Sequence, residues 1–302
     1  MWGLWRRGRG GAGLVGIGVH ADGLSLVHAV TSPDRQVSIR AAEYRSLDGA
    51  TPARALARLV DDYDLRHLRC TTCLRNGEYR LIQTEAPDVK PDELKAALRW
   101  RIKDLIDFHV NDATLDVFDV PGGHAGRPRP VYAVVARNDV IKARADLMQD
   151  AGVALDIIDI PDMAHRNVAR LLPEDAQGVA LISFGEDAGL ITITRDGALY
   201  LSRALAIGAG GLGQPSSRDT LLLELQRSLD FFESSFRQVP IMDVVVAGAH
   251  PDDLLAYLQA NLNQRVRALT YAEIARLDDH VVVPDACFMT LGAALRAEKM
   301  AL

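Results

Sequence analysis

Leu14–Glu43 reads LVGIGVHADGLSLVHAVT, then SPDRQ, then VSIRAAE, and Val179–Ala204 repeats the layout as VALISFGEDAGLITIT, RDG and ALYLSRA. Each is an apolar strand, a glycine-bearing turn, a second strand, a polar turn and a third strand. Apolar runs punctuated by Gly, Asp and Pro at such short intervals predict a three-stranded meander. One copy opens each half of the chain, so the sequence predicts a duplicated α/β architecture. The two copies also correspond at one position before the first turn, held by Gly18 in one and Ser183 in the other.

The chain has 302 residues, of which 48% are hydrophobic and 25% charged, with a formal charge of −6. That length suffices for one large or two ordinary domains with full cores. A net acidic balance argues against a general nucleic-acid binder, which would carry a basic face. No apolar run approaches the ~18 residues of a membrane-spanning helix. The N-terminal MWGLWRRGRGG has no apolar core and no cleavage site, so no secretory signal is expected. Its Trp2, Trp5, Arg6 and Arg7 suit a membrane interface, where indoles sit at headgroup depth and arginines meet anionic lipid. Cys70 and Cys73 are spaced as a Cys-x-x-Cys pair but fall in a predicted strand, where residues three apart point to opposite faces. They read as inert thiols of a cytoplasmic protein.

Between the meanders, a helix is predicted over Thr51–Tyr63, with Thr51 as N-cap and Pro52 in the first turn. Strands follow near Leu68–Leu74 and Tyr79–Thr84. Pro91–Phe108 is expected as one long helix with an apolar stripe of Leu94, Leu98, Ile102, Leu105 and Ile106. Trp100 lies off that stripe and Phe108 at its exposed end. Strand Thr114–Val120, a Gly/Pro linker, strand Val131–Ala136, helix Asp139–Ala151, strand Ala154–Ile160 and the crossing segment Pro161–Leu172 complete the half. In the second half we expect helix Ser216–Phe236, buried strand Met242–Ala247, helix Pro251–Asn261 and a last helix, Ala286–Lys299, packed back on the first half. The loop GAGGLG at 208–213 follows a third meander strand rather than a first, so it reads as a turn and not a dinucleotide motif. His250-Pro-Asp-Asp253 reads as helix capping.

Several stretches in this order and spacing resemble the PilM family of type IV pilus assembly proteins, and within it the MSHA-pilus branch. They are the VGIG start, ELKAALRWRIKDLIDF, VARNDVIKARADLMQDAGVALDIIDIP, GALYLSRALAIGAGGL, ELQRSLDFFESSF, VVVAGAHPDDL and FMTLGAALRAE. The resemblance covers nearly the whole chain after Gly13. It implies an actin-like two-lobe α/β fold of duplicated RNase-H-like domains with a small subdomain inserted in the first. The boundaries it implies are a tail at 1–12, a first lobe at 13–172 with the insertion at about 77–130 and helix 286–299 packed on it, and a second lobe at 173–285. It further implies ATP in the cleft between lobes. The implied partner is a PilN-like single-span inner-membrane protein, whose short cytoplasmic N-terminal peptide binds against the insertion. Other platform proteins are implied partners too, and the implied location is the cytoplasmic side of the inner membrane.

By that resemblance the nucleotide candidates are Gly16, Gly18, His20, Gly185, Glu186, Asp187 and Gly248, and the peptide candidates are Trp100, Leu105, Ile106 and Phe108. The family's acids for magnesium chemistry are replaced by Gly18 and Ser183. Mg²⁺ demands carboxylate oxygens in a tight octahedral shell, and Asp22, displaced into the turn, does not supply one in register. Lys and Arg are absent from both turns, and adjacent Glu186 and Asp187 repel phosphate. No catalytic or metal-binding residue is therefore assigned. The expectation is a non-enzymatic assembly scaffold in which ATP, if held, is held by backbone N–H groups without hydrolysis. The alternatives are an active assembly ATPase using Asp22 or Asp187, the cytoplasmic component of a secretion platform, or an FtsA-like filament former.

Overall fold

The computed structural model describes residues 13–122, 129–236 and 239–297. The tail with Trp2, Trp5, Arg6 and Arg7, His124 of the linker, and the end of the last expected helix, including Lys299, lie outside the described residues. The first meander forms β1 (Leu14–Val19), β2 (Gly23–Thr31) and β3 (Val37–Ser46), paired antiparallel. Helix α1 (Pro52–Tyr63) follows, its Thr51 hydroxyl accepting from the Arg54 N–H, and β4 (Arg69–Cys73) then adds parallel to β1. After an excursion the chain returns through α3 (Asn138–Asp150) to β8 (Ala154–Asp159), parallel to β4. In the second half, β9 (Val179–Phe184), β10 (Gly189–Arg195) and β11 (Ala198–Leu205) repeat the meander. Helices α5 (Pro215–Phe236) and α6 (Leu254–Asn261) flank β12 (Asp243–Ala247), and β13 (Arg265–Ala268) closes the sheet. The strand orders β3-β2-β1-β4-β8 and β11-β10-β9-β12-β13 are the same topology twice.

The excursion is a three-stranded antiparallel sheet of β5 (Tyr79–Glu85), β7 (Pro130–Arg137) and β6 (Ala113–Asp119), in that order, with its own helix. That helix differs from expectation. A single 3₁₀ turn at Pro91–Glu93 leads into α2, which spans only Leu94–Ile102. The Leu105 N–H then bonds the Ile102 carbonyl at 2.9 Å, tightening the chain out of the helix. Asp104 and Asp107 would lie at the negative end of a longer helix, where carboxylates are unfavourable; Asp107 instead meets Arg80 at 3.1 Å. The turn swings Ile106 and Phe108 back onto the small core of Leu98, Ile102, Leu115, Val131 and Val135 and leaves Leu105 outside it.

Two further helices hold the halves together. The first, α4 (Pro161–Ala169), carries the chain from the first sheet to the second, and α8 (Phe288–Ala294) lies beside it against β1, β2 and β4. The inner faces of both sheets, Val27 and Ile39 from one and Leu181 and Val245 from the other, meet this pair in one core with Val168, Phe288 and Leu291. The outer faces are covered by α1 and α3 on one side and α5 and α6 on the other. Helices α4 and α8 approach backbone to backbone. A Cβ built on Gly292 would overlap the Ala164 carbonyl oxygen and lie 2.8 Å from the Ala164 Cβ. The Asn167 amide donates to the Gly292 carbonyl at 3.0 Å, and Arg170 to the Leu295 carbonyl at 2.8 Å.

Three short elements carried no periodicity that could announce them: β13, α7 (Tyr271–Ile274) and β14 (Arg276–Leu277). β14 pairs parallel with β3, so a stretch late in the chain edges the first sheet. Among the described residues no helix is long and apolar enough to cross a membrane.

Because the α4–α8 contact leaves no room for a methyl group, Gly292→Ala should cost about 3 kcal/mol of unfolding free energy, the upper range for overpacking. Urea denaturation checks this, and an unchanged midpoint would show that the helices separate freely.

Candidate functional site

The turns after β1 and β9 come from equivalent places in the two sheets. Glu186 lies close enough to Tyr44 of β3 to act on its phenol; burial, the Asp22 hydrogen bond and Glu186 together push that group above its ordinary pKa. The Tyr44 hydroxyl donates to the Asp22 carboxylate, and the His20 ring sits edge-on to Tyr44 with centroids 5.3 Å apart. Asp22 is thus engaged by a phenol, and Glu186 of the second turn adds a negative charge near that phenol.

Gly18, at the expected acid position, faces Ser25 of β2 in the β1–β2 register. A Cβ at Gly18 would overlap both the Ser25 Oγ and the Thr290 Oγ1, the latter reaching in from α8. Those hydroxyls are bonded to each other at 2.5 Å, and His20 Nε2 lies 2.8 Å from the Ser25 Oγ. Gly16 is likewise covered by the Thr290 backbone, so both glycines of β1 lie under α8. Burial pulls the His20 pKa below its ordinary value, and Arg75 and Arg144 act in the same direction against the pull of Asp22.

The second copy repeats the arrangement with different parts. Ser183, on β9, is 2.6 Å from Nε2 of His165 on α4, and His165 Nδ1 is 3.1 Å from Thr192 Oγ1 of β10. All three are buried, and burial pulls the His165 pKa down to about 3. A neutral imidazole has one donor and one acceptor nitrogen, so two hydroxyls satisfy it completely. Each acid position is therefore occupied by an uncharged, hydrogen-bonded cluster, and the residues present do not fit a magnesium-bound triphosphate. Among the described residues no three His, Cys, Asp or Glu side chains converge on a metal position.

Beside the second turn, at the carboxyl ends of the parallel strands β12 and β13, lies an open cavity of about 360 Å³ lined by Gly248, His250, Leu269, Tyr271 and Asp285, among others. Carboxyl ends of parallel strands are where open α/β sheets receive ligands. The Tyr271 hydroxyl is buried there without a hydrogen-bond partner, and burial together with Asp285 pushes its pKa up. The cavity wall carries no Lys or Arg. Gly185 is braced instead by the N–H of Ala209, 2.8 Å from its carbonyl, while Glu186 and Asp187 are exposed at the tip of that turn. Of the nucleotide candidates, Gly248 lines the cavity, Gly185, Glu186 and Asp187 lie in the exposed second turn, His20 joins the Ser25 cluster, and Gly16 and Gly18 lie beneath α8. Asp253 does not cap α6; its carboxylate takes a bidentate bond from Arg218 at 2.8 Å.

On the inserted sheet, Trp100 is 67% and Leu105 52% exposed. Ile106 and Phe108 are half-buried against the subdomain core, and the Arg137 guanidinium sits 5.3 Å from the centre of the Phe108 ring. Phe108 is therefore not at an exposed end, because the chain has already turned inward. The thiols of Cys70 and Cys73 lie in different cores, and burial pushes the Cys70 pKa up to about 12. Residues that sequence spacing did not single out are Thr290, His165, Thr192, Tyr271 and Asp285. The one usable signal was a histidine inside the apolar crossing segment, which needs partners to be buried.

Two measurements probe the clusters. His165 takes up a proton in the unfolded chain below about pH 6.5 and refuses it in the folded one, so stability present above that pH is lost as pH falls toward 3. The unfolding free energy of His165→Gln should fall between pH 6 and 4 less steeply than the parent's, by up to about 1.4 kcal/mol per unit; parallel slopes would show that His165 titrates normally. Gly18→Asp, which restores the acid, should cost about 3 kcal/mol through overlap with Ser25 and Thr290. It should also gain no thermal stabilisation from Mg²⁺·ATP. An undamaged variant that does gain it would show that the acid's space is open.

Residues 81–219 match the model of a family described as type IV pilus assembly protein PilM. No curated protein matches the sequence. Among solved structures, one described as a PilM–PilN type IV pilus biogenesis complex aligns with a TM-score of 0.74 at 19% identity, covering 93% of this chain and 97% of that one. A Bacteroides thetaiotaomicron protein with an actin-like ATPase fold and unknown function aligns with a TM-score of 0.55 at 12% identity, over 98% and 100% of the two chains. The cytoplasmic domain of EpsL, an inner-membrane component of the Vibrio cholerae type II secretion system, gives 0.53 at 14%, over 94% and 96%. The two matching sheets joined by α4 and α8 are thus an actin-like fold, and residues 81–219 within it resemble the PilM family.

Proposed function

We propose that this protein is a scaffold of type IV pilus assembly, of the MSHA type, that binds the N-terminal cytoplasmic peptide of a PilN-like single-span inner-membrane protein. It works on the cytoplasmic side of that membrane, held there through its partner, and contacts other platform proteins. Its lobes are residues 13–172 and 173–285, and the insertion at about 77–130 presents the peptide site. The observation that carries this reading is the exposed apolar pair of Trp100 on α2 and Leu105 in the turn just after it, within the stretch that matches the PilM model. A large aromatic in water on a rigid helix is the kind of side chain that anchors a partner. The solved PilM–PilN complex supports a PilN-like partner.

The scaffold turns over no nucleotide. Hydroxyl clusters at both acid positions and carboxylates at the rim of the cleft support that reading. The rival, an assembly ATPase, requires Asp22 or Asp187 to supply the missing acid. Steady phosphate release from Mg²⁺·ATP, abolished by Asp187→Ala, would establish the rival.

Calorimetric titration with the partner's N-terminal peptide tests the scaffold. Trp100→Ala should weaken binding by about 2 kcal/mol, the scale of an aromatic hot spot and roughly thirtyfold in Kd. The Tm should hardly move, because Trp100 lies outside the subdomain core. A large drop in Tm with unchanged affinity would put the peptide elsewhere.

A further inference from the structure

The inserted sheet does not hang from the first lobe alone. One face lies under α2; from the other, Leu81, Phe118 and Tyr132 reach the core of the second lobe, where Tyr200, Phe232 and Phe236 pack edge to face. The buried Tyr132 hydroxyl donates to the Tyr200 carbonyl at 3.2 Å. At the root of the sheet, two consecutive residues are tied in opposite directions. Glu78 receives the buried Arg144 guanidinium of α3 at 2.9 Å, and Arg144 also donates to the Cys73 carbonyl at 2.9 Å, which fixes this point to the first lobe. Tyr79 donates its hydroxyl to Asp162 at 2.5 Å, and the other oxygen of the same carboxylate accepts from Ser202 of β11 in the second lobe.

Asp162 is 3% exposed and stands in the first turn of α4, the helix that carries the chain between the lobes. Burial lifts its pKa while the two hydroxyl bonds hold it down. A buried carboxylate that loses one of two donors is left with an unmet desolvation cost, so both bonds form together or the seam opens.

We propose that Glu78–Tyr79 is a yoke, with Asp162 its clasp, that couples the opening of the interlobe cleft to the position of the inserted subdomain. A change of lobe angle moves Ser202 relative to Arg144 and Asp162, and because Ser202 and Tyr79 donate to the same Asp162 carboxylate, that displacement reaches Tyr79 and Glu78, one peptide bond apart at the root of the inserted sheet. The cleft and the face of α2 are thereby two ends of one conformational device.

Amide hydrogen exchange on the full chain tests this with single-hydroxyl deletions, which leave the apolar packing in place. Tyr79→Phe should speed exchange in β10 and β11 of the second lobe as well as in β5. Ser202→Ala should speed it in β5 and β7, each by about tenfold, the scale of one lost hydrogen bond to a charged group in an opening equilibrium. The double variant should exchange about as fast as either single one, since both hydroxyls serve one carboxylate. Effects confined to the lobe that carries the substitution, or effects that multiply in the double variant, would overturn the coupling. Asp162→Asn, which keeps the volume but lowers the charge, should match the double variant; an Asn variant with parent-like exchange overturns it as well.

Discussion

Everything else in this molecule depends on the close crossing of α4 and α8. The inner face of each sheet is apolar and needs cover, and the two faces share the same pair of helices as cover. Gly292 and Ala164 are small enough for the backbones to touch, and the Asn167 amide and Arg170 guanidinium satisfy carbonyls at the end of α8 that would otherwise be orphaned. Orphan carbonyls at a buried helix end carry a desolvation cost comparable to a lost hydrogen bond. With that cost met from within α4, the crossing is both tight and polar-satisfied, and each lobe inherits its orientation from it.

The same crossing decides the chemistry of the cleft. Thr290 can reach Ser25 only because α8 lies directly on β1, and α8 lies there only because β1 offers Gly16 and Gly18. On the other side, His165 can reach Ser183 and Thr192 because α4 runs beneath β9 and β10. An acid in either place would need a cation to be buried at tolerable cost. Two neutral clusters need none. Both clusters therefore belong to the packing of α4 and α8 against the two meanders.

Much of this was legible in the sequence. Both meanders could be read because strands of six to ten residues separated by Gly, Asp and Pro leave a strong local pattern, and Thr51-Pro52 announced α1 by its cap. The long helix over Pro91–Phe108 was overread. Its stripe Leu94–Leu98–Ile102–Leu105–Ile106 satisfies helical spacing, yet the periodicity cannot distinguish a continued helix from a turn that returns Ile106 and Phe108 to the same core. β14, with two residues, and α7, with four, are below the length at which periodicity means anything. The site was legible as a place and not as a mechanism. Gly18 and Ser183 pointed to the two places where the hydroxyl clusters lie, but Thr290 is 265 positions from its partner Ser25, and no local pattern joins them.

Asp162 shows the same limit from the other direction. In sequence it sits after Pro161 at the start of a helix, where an acid is ordinary for its interaction with the helix dipole. In the fold it is buried between two hydroxyls brought from 83 positions upstream and 40 downstream. A side chain that looks like routine helix initiation is a polar group shared by the first lobe's outgoing helix, the inserted sheet and the second lobe. The cost of burying it is met only when all three are in place, so it reports on the assembly of the whole molecule rather than on α4. A two-lobed protein with an inserted third sheet could have been three loosely strung units; a buried carboxylate with one ligand from each neighbour makes their arrangement a single condition.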